Sequence, residues 1–225
     1  MARAVLRTFG SRRLQYITVK RLDVPTPAPS PGADIRCVMV DSPRLLEAFA
    51  PEIPKTFRDS VEELRRRVAQ GCVLSLARRA RLDGTGWDVI GYELAERGIF
   101  SALERRTPVA ADVIFSHWSE VLPAFRGQRV HGLLFATRDA YFRARGGRVV
   151  VGVCAPWNRA SLKALHRDGA VIAGAVERID LLRGRLTWET PWARIEAALR
   201  GEAPPSRIAK AFSIARPIIG PCRSG

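Results

Sequence analysis

Val121-Leu-Pro-Ala-Phe-Arg-Gly-Gln-Arg-Val-His-Gly132 is the stretch on which the fold turns. Before it, Asp112 to Leu122 reads as one long strand. After it, a helix is predicted from about Gln128 to Arg145, with Val130, Leu133, Leu134, Ala140 and Tyr141 on its buried face. Gly146-Gly147 ends that helix. A glycine-containing turn between a strand end and a helix start leaves backbone N–H groups unpaired. Those groups, together with the helix dipole, favour a phosphate.

Working outward toward the C-terminus, Val149 to Cys154 is a continuous apolar run of the fully buried strand type. Asn158 to Arg167 predicts a helix and Ala170 to Ile179 a strand. Arg185 to Trp188 reads as a last strand, Trp192 to Leu199 as a last helix, and the residues from Gly201 as an extended tail. Toward the N-terminus, Cys72 to Ala77 and Trp87 to Ala95 read as paired strands around the Asp83-Gly84-Thr85-Gly86 turn. Ser60 and Glu63 have the spacing of a capping box, Val61, Leu64 and Val68 follow on one helical face, and Gly71 stops the helix. Pro43 to Ala50 predicts one or two helical turns, Ile35 to Val40 a short strand, and residues 13–22 another. The prolines between Val24 and Gly32 make a stiff linker, and Arg97 to Pro108 is read as irregular.

This order is mixed α/β around one central sheet. Three segments are expected: residues 1–34, a basic strand and proline-rich linker; 35–190, the main domain; and 191–225, a helix and basic tail.

The quoted turn resembles the acetyl-CoA motif of the GNAT (Gcn5-related N-acetyltransferase) superfamily, in which a V-x-P strand end leads into R-G-x-G-x-G/A and a helix. Val121 and Pro123 match the strand end, Arg126 and Gly127 open the loop, and Leu134 matches within the helix. Arg129 and His131 stand where the family carries its later glycines. A second motif, Asn158-Arg-Ala-Ser-Leu-Lys-Ala-Leu-His-Arg-Asp-Gly169, resembles the family's N-x-A-S-(x)7-G segment through Asn158, Ala160, Ser161 and Gly169. The two motifs cover about residues 60 to 180. The resemblance implies a GNAT-like α/β fold, its central, mostly antiparallel sheet splayed at the CoA-binding strands. It implies that Val121, Leu122, Arg126, Gly127, Gln128, Arg129, Val130, His131 and Gly132 bind acetyl-CoA or another acyl-CoA as co-substrate. It also implies that Asn158 and Ser161 lie near the pantetheine or adenine-phosphate arm.

The reaction so implied is attack of a neutral amine on a thioester, with the tetrahedral oxyanion polarised by a strand N–H. A base must take the ammonium proton, directly or through water. Many members of the family carry a tyrosine that protonates the leaving thiolate; Leu165 stands there, beside His166. The base is sought near the end of the long strand, where Glu120 and His117 are the candidates. Strand parity would put them on opposite faces, and Glu120, next to Val121, is preferred. Trp118 is read either as acceptor pocket or as core.

The formal charge is +15, from 37 basic and 22 acidic residues. The arginines are spread through every segment, which favours arginine-rich composition over a nucleic-acid footprint. The cysteines, Cys37, Cys72, Cys154 and Cys222, show no CxxC pair, so free thiols and no metal are expected. No run approaches the ~20 apolar residues of a membrane span, and a cytoplasmic protein is expected. The acceptor is expected to be a small-molecule amine, amino acid, amino sugar or peptide. Two alternatives stand: a GNAT-fold module that holds acyl-CoA without catalysis, and an acetyltransferase acting on a charged tRNA. A homodimer is compatible with each.

Overall fold

The computed structural model describes residues 10–24, 34–102, 105–181, 184–189, 195 and 218–220. Apart from Ile195, the expected helix from Trp192 to Leu199 lies outside these residues, as does most of the expected tail. The fold is mixed α/β with mostly antiparallel strands. The chain divides into two compact units. Unit 1 comprises residues 1–20, 101–106 and 151–225, and unit 2 comprises 21–100 and 107–150.

Unit 2 is built on four antiparallel strands: β2 (Ile35–Val40), β3 (Val73–Ala80), β4 (Trp87–Arg97) and β7 (Val113–Val121). Helices α1 (Pro43–Phe49) and α2 (Val61–Ala69) cover one face. Leu46, Leu64 and Val68 pack there on Val40, Leu74, Leu76, Tyr92 and Leu94, nearly all fully buried. Ser60 caps α2 by accepting the Glu63 N–H at 3.2 Å. Only this half of the expected capping box is made. The Glu63 carboxylate turns to Arg66 and Arg67 instead, because two guanidinium groups one turn away outcompete a single amide.

Helix α3 (Val130–Arg143) covers the opposite face. Val130 and Leu134 bury as expected, but Ala140 is exposed. The buried stripe runs through Phe135, Arg138, Asp139 and Phe142 instead. Arg138 is buried because Glu93 and Asp139 pair with its guanidinium, and Ser116 donates to the same Glu93 oxygen at 2.7 Å. Gly91 sets how closely α3 can seat. A Cβ there would stand 2.9 Å from the Glu120 carbonyl oxygen and 3.3 Å from a Val130 methyl.

The segment expected to be irregular contains two short strands, β5 (Ile99–Ala102) and β6 (Arg105–Pro108), which pair with each other. Arginines at 97, 105 and 106 break the apolar alternation that would have marked them.

In unit 1, β1 (Gly10–Arg21) pairs antiparallel with β9 (Val171–Leu181), and β9 pairs with β10 (Gly184–Glu189). The tail returns as β11 (Ile218–Gly220) on β10. On its other side β1 neighbours β8 (Val149–Cys154), whose Val151–Cys154 part belongs to this unit. The strand expected over residues 13–22 is therefore present and lies in the interior of its sheet. Ile17 and Val19 are buried, Thr18 donates to the Gly152 carbonyl at 3.3 Å, and Lys20 pairs with Asp168 at 2.7 Å. Helix α4 (Arg159–Arg167) follows β8.

Candidate active site

The turn after β7 is held by backbone bonds before any side chain contributes. The Leu122 N–H donates to the Ile90 carbonyl at 2.9 Å, fixing the strand end against β4. Pro123–Phe125 forms one 3-10 turn. Gly127 then takes φ +83° and Arg129 φ +62°, and α3 begins. Both values lie in the left-handed region, which suits glycine and costs an L-residue roughly 1–2 kcal/mol. Arg129 thus holds a backbone conformation that favours glycine. Successive N–H groups in such a loop, running into a helix start, form a concavity for anions.

Four observations test whether an anionic donor molecule fits this turn. Among the described residues no side chain caps α3, which leaves its first-turn amides available. A Cβ on Gly127 would meet nothing within 4 Å. His131, stacked on Phe135, buries an Nε2 that has no partner among the described residues. Arg126, Gln128 and Arg129 are exposed around the turn. Burial, and then the nearby Arg126 charge, push the His131 pKa down, so the imidazole is neutral at neutral pH. Arg126 Nε also donates to the Val121 carbonyl at 3.2 Å, and Gln128 Nε2 to the Ala124 carbonyl at 3.2 Å. The residues present fit a phosphate-bearing ligand.

Strand β7 carries the candidate acid–base groups, and a bulge decides where they point. Trp118 stands opposite Leu94 and Ser116 opposite Ala95, which leaves His117 as an extra residue. The extra residue resets the alternation. His117, Trp118 and Glu120 all project to the face covered by α1 and α2, as their contacts with Cys72, Asp59 and Arg58 show. The expectation that Glu120 and His117 lie on opposite faces is therefore wrong, because parity counting assumes an unbroken ladder.

Glu120 is half-buried. Its Oε2 accepts the Arg58 N–H at 2.9 Å and lies 3.5 Å from the Tyr92 hydroxyl. Its Oε1 has no partner among the described residues. Beside it, Tyr92 donates to Asp59 Oδ2 at 2.6 Å and Trp118 Nε1 donates to the same oxygen at 2.5 Å. Burial, and then the bond to Asp59, hold the Tyr92 phenol well above its ordinary pKa. The guanidinium groups of Arg58 and Arg67 lie over the Trp118 ring, 5.4 and 4.7 Å from its centroid. Trp118 is thus packed and hydrogen-bonded. Sequence reasoning offered the Tyr92 to Arg97 region only as a fallback place for the base and missed Asp59, since the two residues come from a strand and a loop with no shared spacing.

The His117 side chain is buried, and its Nε2 faces Glu96 Oε2 at 3.1 Å and Cys72 Sγ at 3.9 Å. In unit 1, Asn158 accepts the Ser161 N–H at 3.1 Å and caps α4. Leu165 is half-buried and His166 exposed on the same helix. Cys37, Cys72 and Cys154 are free thiols, while Cys222 lies outside the described residues. Burial pushes the Cys37 thiol up to about 12 and raises Cys154 as well, so neither is a ready nucleophile. Among the described residues no helix is long and apolar enough to cross a membrane.

Solved structures resemble this fold at low sequence identity. A tandem GNAT protein from the clavulanic acid biosynthesis pathway matches with a TM-score of 0.51 at 16% identity, over 84% of this chain and 59% of its own. A GCN5-related N-acetyltransferase from Sphaerobacter thermophilus matches with a TM-score of 0.51 at 17% identity, over 84% and 55%. A Drosophila protein matches with a TM-score of 0.50 at 17% identity, over 80% and 55%. The chain spans just over half the length of each. No protein-family model matches the chain. No curated protein matches it.

Proposed function

From the premise that this chain has the GNAT superfamily fold, we propose that it is an N-acyltransferase moving an acetyl or other acyl group from an acyl-CoA to an amine. The observation that carries the reading is the uncapped start of α3, preceded by left-handed backbone at Gly127 and Arg129. Amides there bind the donor's pyrophosphate, and the dipole of α3 adds to the attraction. His131 supplies a buried ring nitrogen at the same turn. Val121 and Leu122 lead the strand edge into the turn, while Arg126, Gln128, Arg129, Val130 and Gly132 line it. For Asn158 and Ser161, in unit 1, a donor-binding role is proposed on the resemblance alone.

Glu120 is proposed as the base. Its Oε2 is held by the Arg58 N–H while Oε1 stays available, so the carboxylate is oriented with one acceptor oxygen unused. It takes the ammonium proton, and the neutral nitrogen attacks the thioester carbonyl and forms the C–N bond. The tetrahedral adduct collapses with cleavage of the C–S bond. The second nitrogen proton passes through water to the departing thiolate, giving the amide and free thiol. Thiolate is a fair leaving group, which accommodates leucine at 165. An amine or amino-sugar acceptor, reached while still protonated, suits a carboxylate at this place.

The test is calorimetric titration of the full chain with acetyl-CoA, followed by thiol release with a panel of small amines, amino sugars, peptides and tRNA. Submillimolar binding with amine-dependent thiol release is expected. No binding of any CoA thioester at millimolar concentration rejects the reading. Binding without transfer to any acceptor leaves a donor-holding module.

A further inference from the structure

We propose that Cys72, Glu96 and His117 form a zinc site in unit 2. The inference goes beyond acyl transfer and does not rest on it. The three side chains come from neighbouring strands: Cys72 just before β3, Glu96 on β4 and His117 on the bulge of β7. The residue that breaks the ladder of β7 is the one that brings imidazole onto the face of the other two.

Three donor atoms converge. Glu96 Oε2 lies 3.1 Å from His117 Nε2, and Cys72 Sγ lies 3.9 Å from each. A tetrahedral zinc with sulfur, nitrogen and oxygen ligands spaces its donors about 3.3–3.6 Å apart. An ion slightly above the plane of this triangle stands about 2.1–2.3 Å from every donor, the range of zinc–ligand bonds. Shifts of a few tenths of an ångström bring these three donors to tetrahedral spacing, with the fourth position left to a water ligand.

The chemistry of the set agrees. Thiolate and imidazole suit zinc and disfavour calcium or magnesium. Thiolate and carboxylate together carry two negative charges, so zinc makes the buried group electrically neutral. The burial is real: Cys72 is 2% exposed, and the His117 and Glu96 side chains 4% and 8%. A thiol–imidazole–carboxylate relay, the competing role, needs each ring nitrogen to serve a different partner. Here one nitrogen, Nε2, faces both, which is the arrangement of ligands around a common centre. Phe115 stands edge-on to the imidazole at 4.8 Å and supplies an apolar wall.

Binding requires the thiol proton to leave, so affinity falls as pH is lowered. The experiment uses the full chain after chelator dialysis, titrated with Zn2+ against a chromophoric chelator and, separately, with Co2+ by absorption. One equivalent is expected, with a thiolate-to-cobalt charge-transfer band. Cys72→Ser should abolish the band and weaken zinc binding by at least about 100-fold, whereas Cys37→Ser and Cys154→Ser keep both. Absence of stoichiometric uptake, or a band that survives in Cys72→Ser, overturns the site. Should Cys72→Ser not fold, X-ray absorption on zinc-loaded wild type decides: one sulfur at about 2.3 Å with nitrogen and oxygen neighbours supports it, and none or several overturn it.

Discussion

The turn at Arg126–Gly132 and the strand that feeds it present their polar groups by opposite means. In the turn, contiguous residues do the work through backbone conformation: left-handed φ at Gly127 and Arg129, then amides without a cap. On β7, side chains act, and each depends on a partner far away in sequence. Glu120 depends on Arg58, Trp118 on Asp59, and His117 on Glu96 and Cys72. A local device tolerates unusual side chains so long as the backbone is kept, which is how an arginine stands at a glycine position. A long-range device tolerates little, since one extra residue in the strand redirects every group beyond it.

The strongest way to break this comparison is Glu120→Gln. The amide keeps shape and can still accept the Arg58 N–H, but it cannot take a proton. Acyl transfer should drop by about 100- to 10,000-fold, with the acetyl-CoA dissociation constant near wild type. Steady-state kinetics beside calorimetry separate the two. His117→Gln should cost less in turnover. The reverse ranking would move the base to His117.

Gly127→Val attacks the turn instead. A branched side chain at φ +83° strains the backbone and fills the open space against which a phosphate would lie. Acetyl-CoA affinity should fall at least about tenfold, or about 1.4 kcal/mol, and by more than the melting curve shows for folding. A folded variant with unchanged affinity would remove this loop from the donor site.

Arg129→Gly sharpens the same point from the other side. Relieving the left-handed arginine should stabilise the chain by about 0.5–1 kcal/mol, after the extra entropy of unfolded glycine is subtracted. A rise in Tm of a few degrees is expected. A fall would show that the arginine side chain makes a contact that outweighs its strain.

The smallest effect concerns pH. His131 has a folded pKa lowered from 6.5 by burial and by Arg126. The unfolded chain therefore binds the extra proton first. Stability from this group is intact above about pH 6.5 and declines as pH falls toward the folded value. In denaturant melts from pH 7.5 to 5.5, His131→Gln should flatten part of that decline. An unaltered slope would assign it to other groups.

Much of the fold was legible because it is written locally. The helix over 130–143 follows from apolar spacing and terminal glycines, and the strands around Asp83–Gly86 follow from alternation and turn residues. The resemblance at Val121–Gly132 and Asn158–Gly169 found the superfamily fold although identities to the solved structures stand at only 16–17%. Arg138 escaped notice because a buried arginine is readable only when its carboxylate partners are in view. The short strands β5 and β6 escaped because arginines interrupt their pattern.

By itself, then, the sequence determined the order of elements, the glycine turn before α3 and the chemistry that an uncapped helix start favours. Those depend on residues within one or two turns of each other, whose steric and hydrogen-bonding preferences act without the rest of the chain. Only the tertiary structure decided which strands border one another, that β1 sits inside its sheet, and that His117 shares a face with Glu120. It alone drew Cys72, Glu96 and His117 to one point. The reason is physical: strand pairing and a bulge are settled by the competition of many distant contacts, and spacing along the chain carries no record of which register wins.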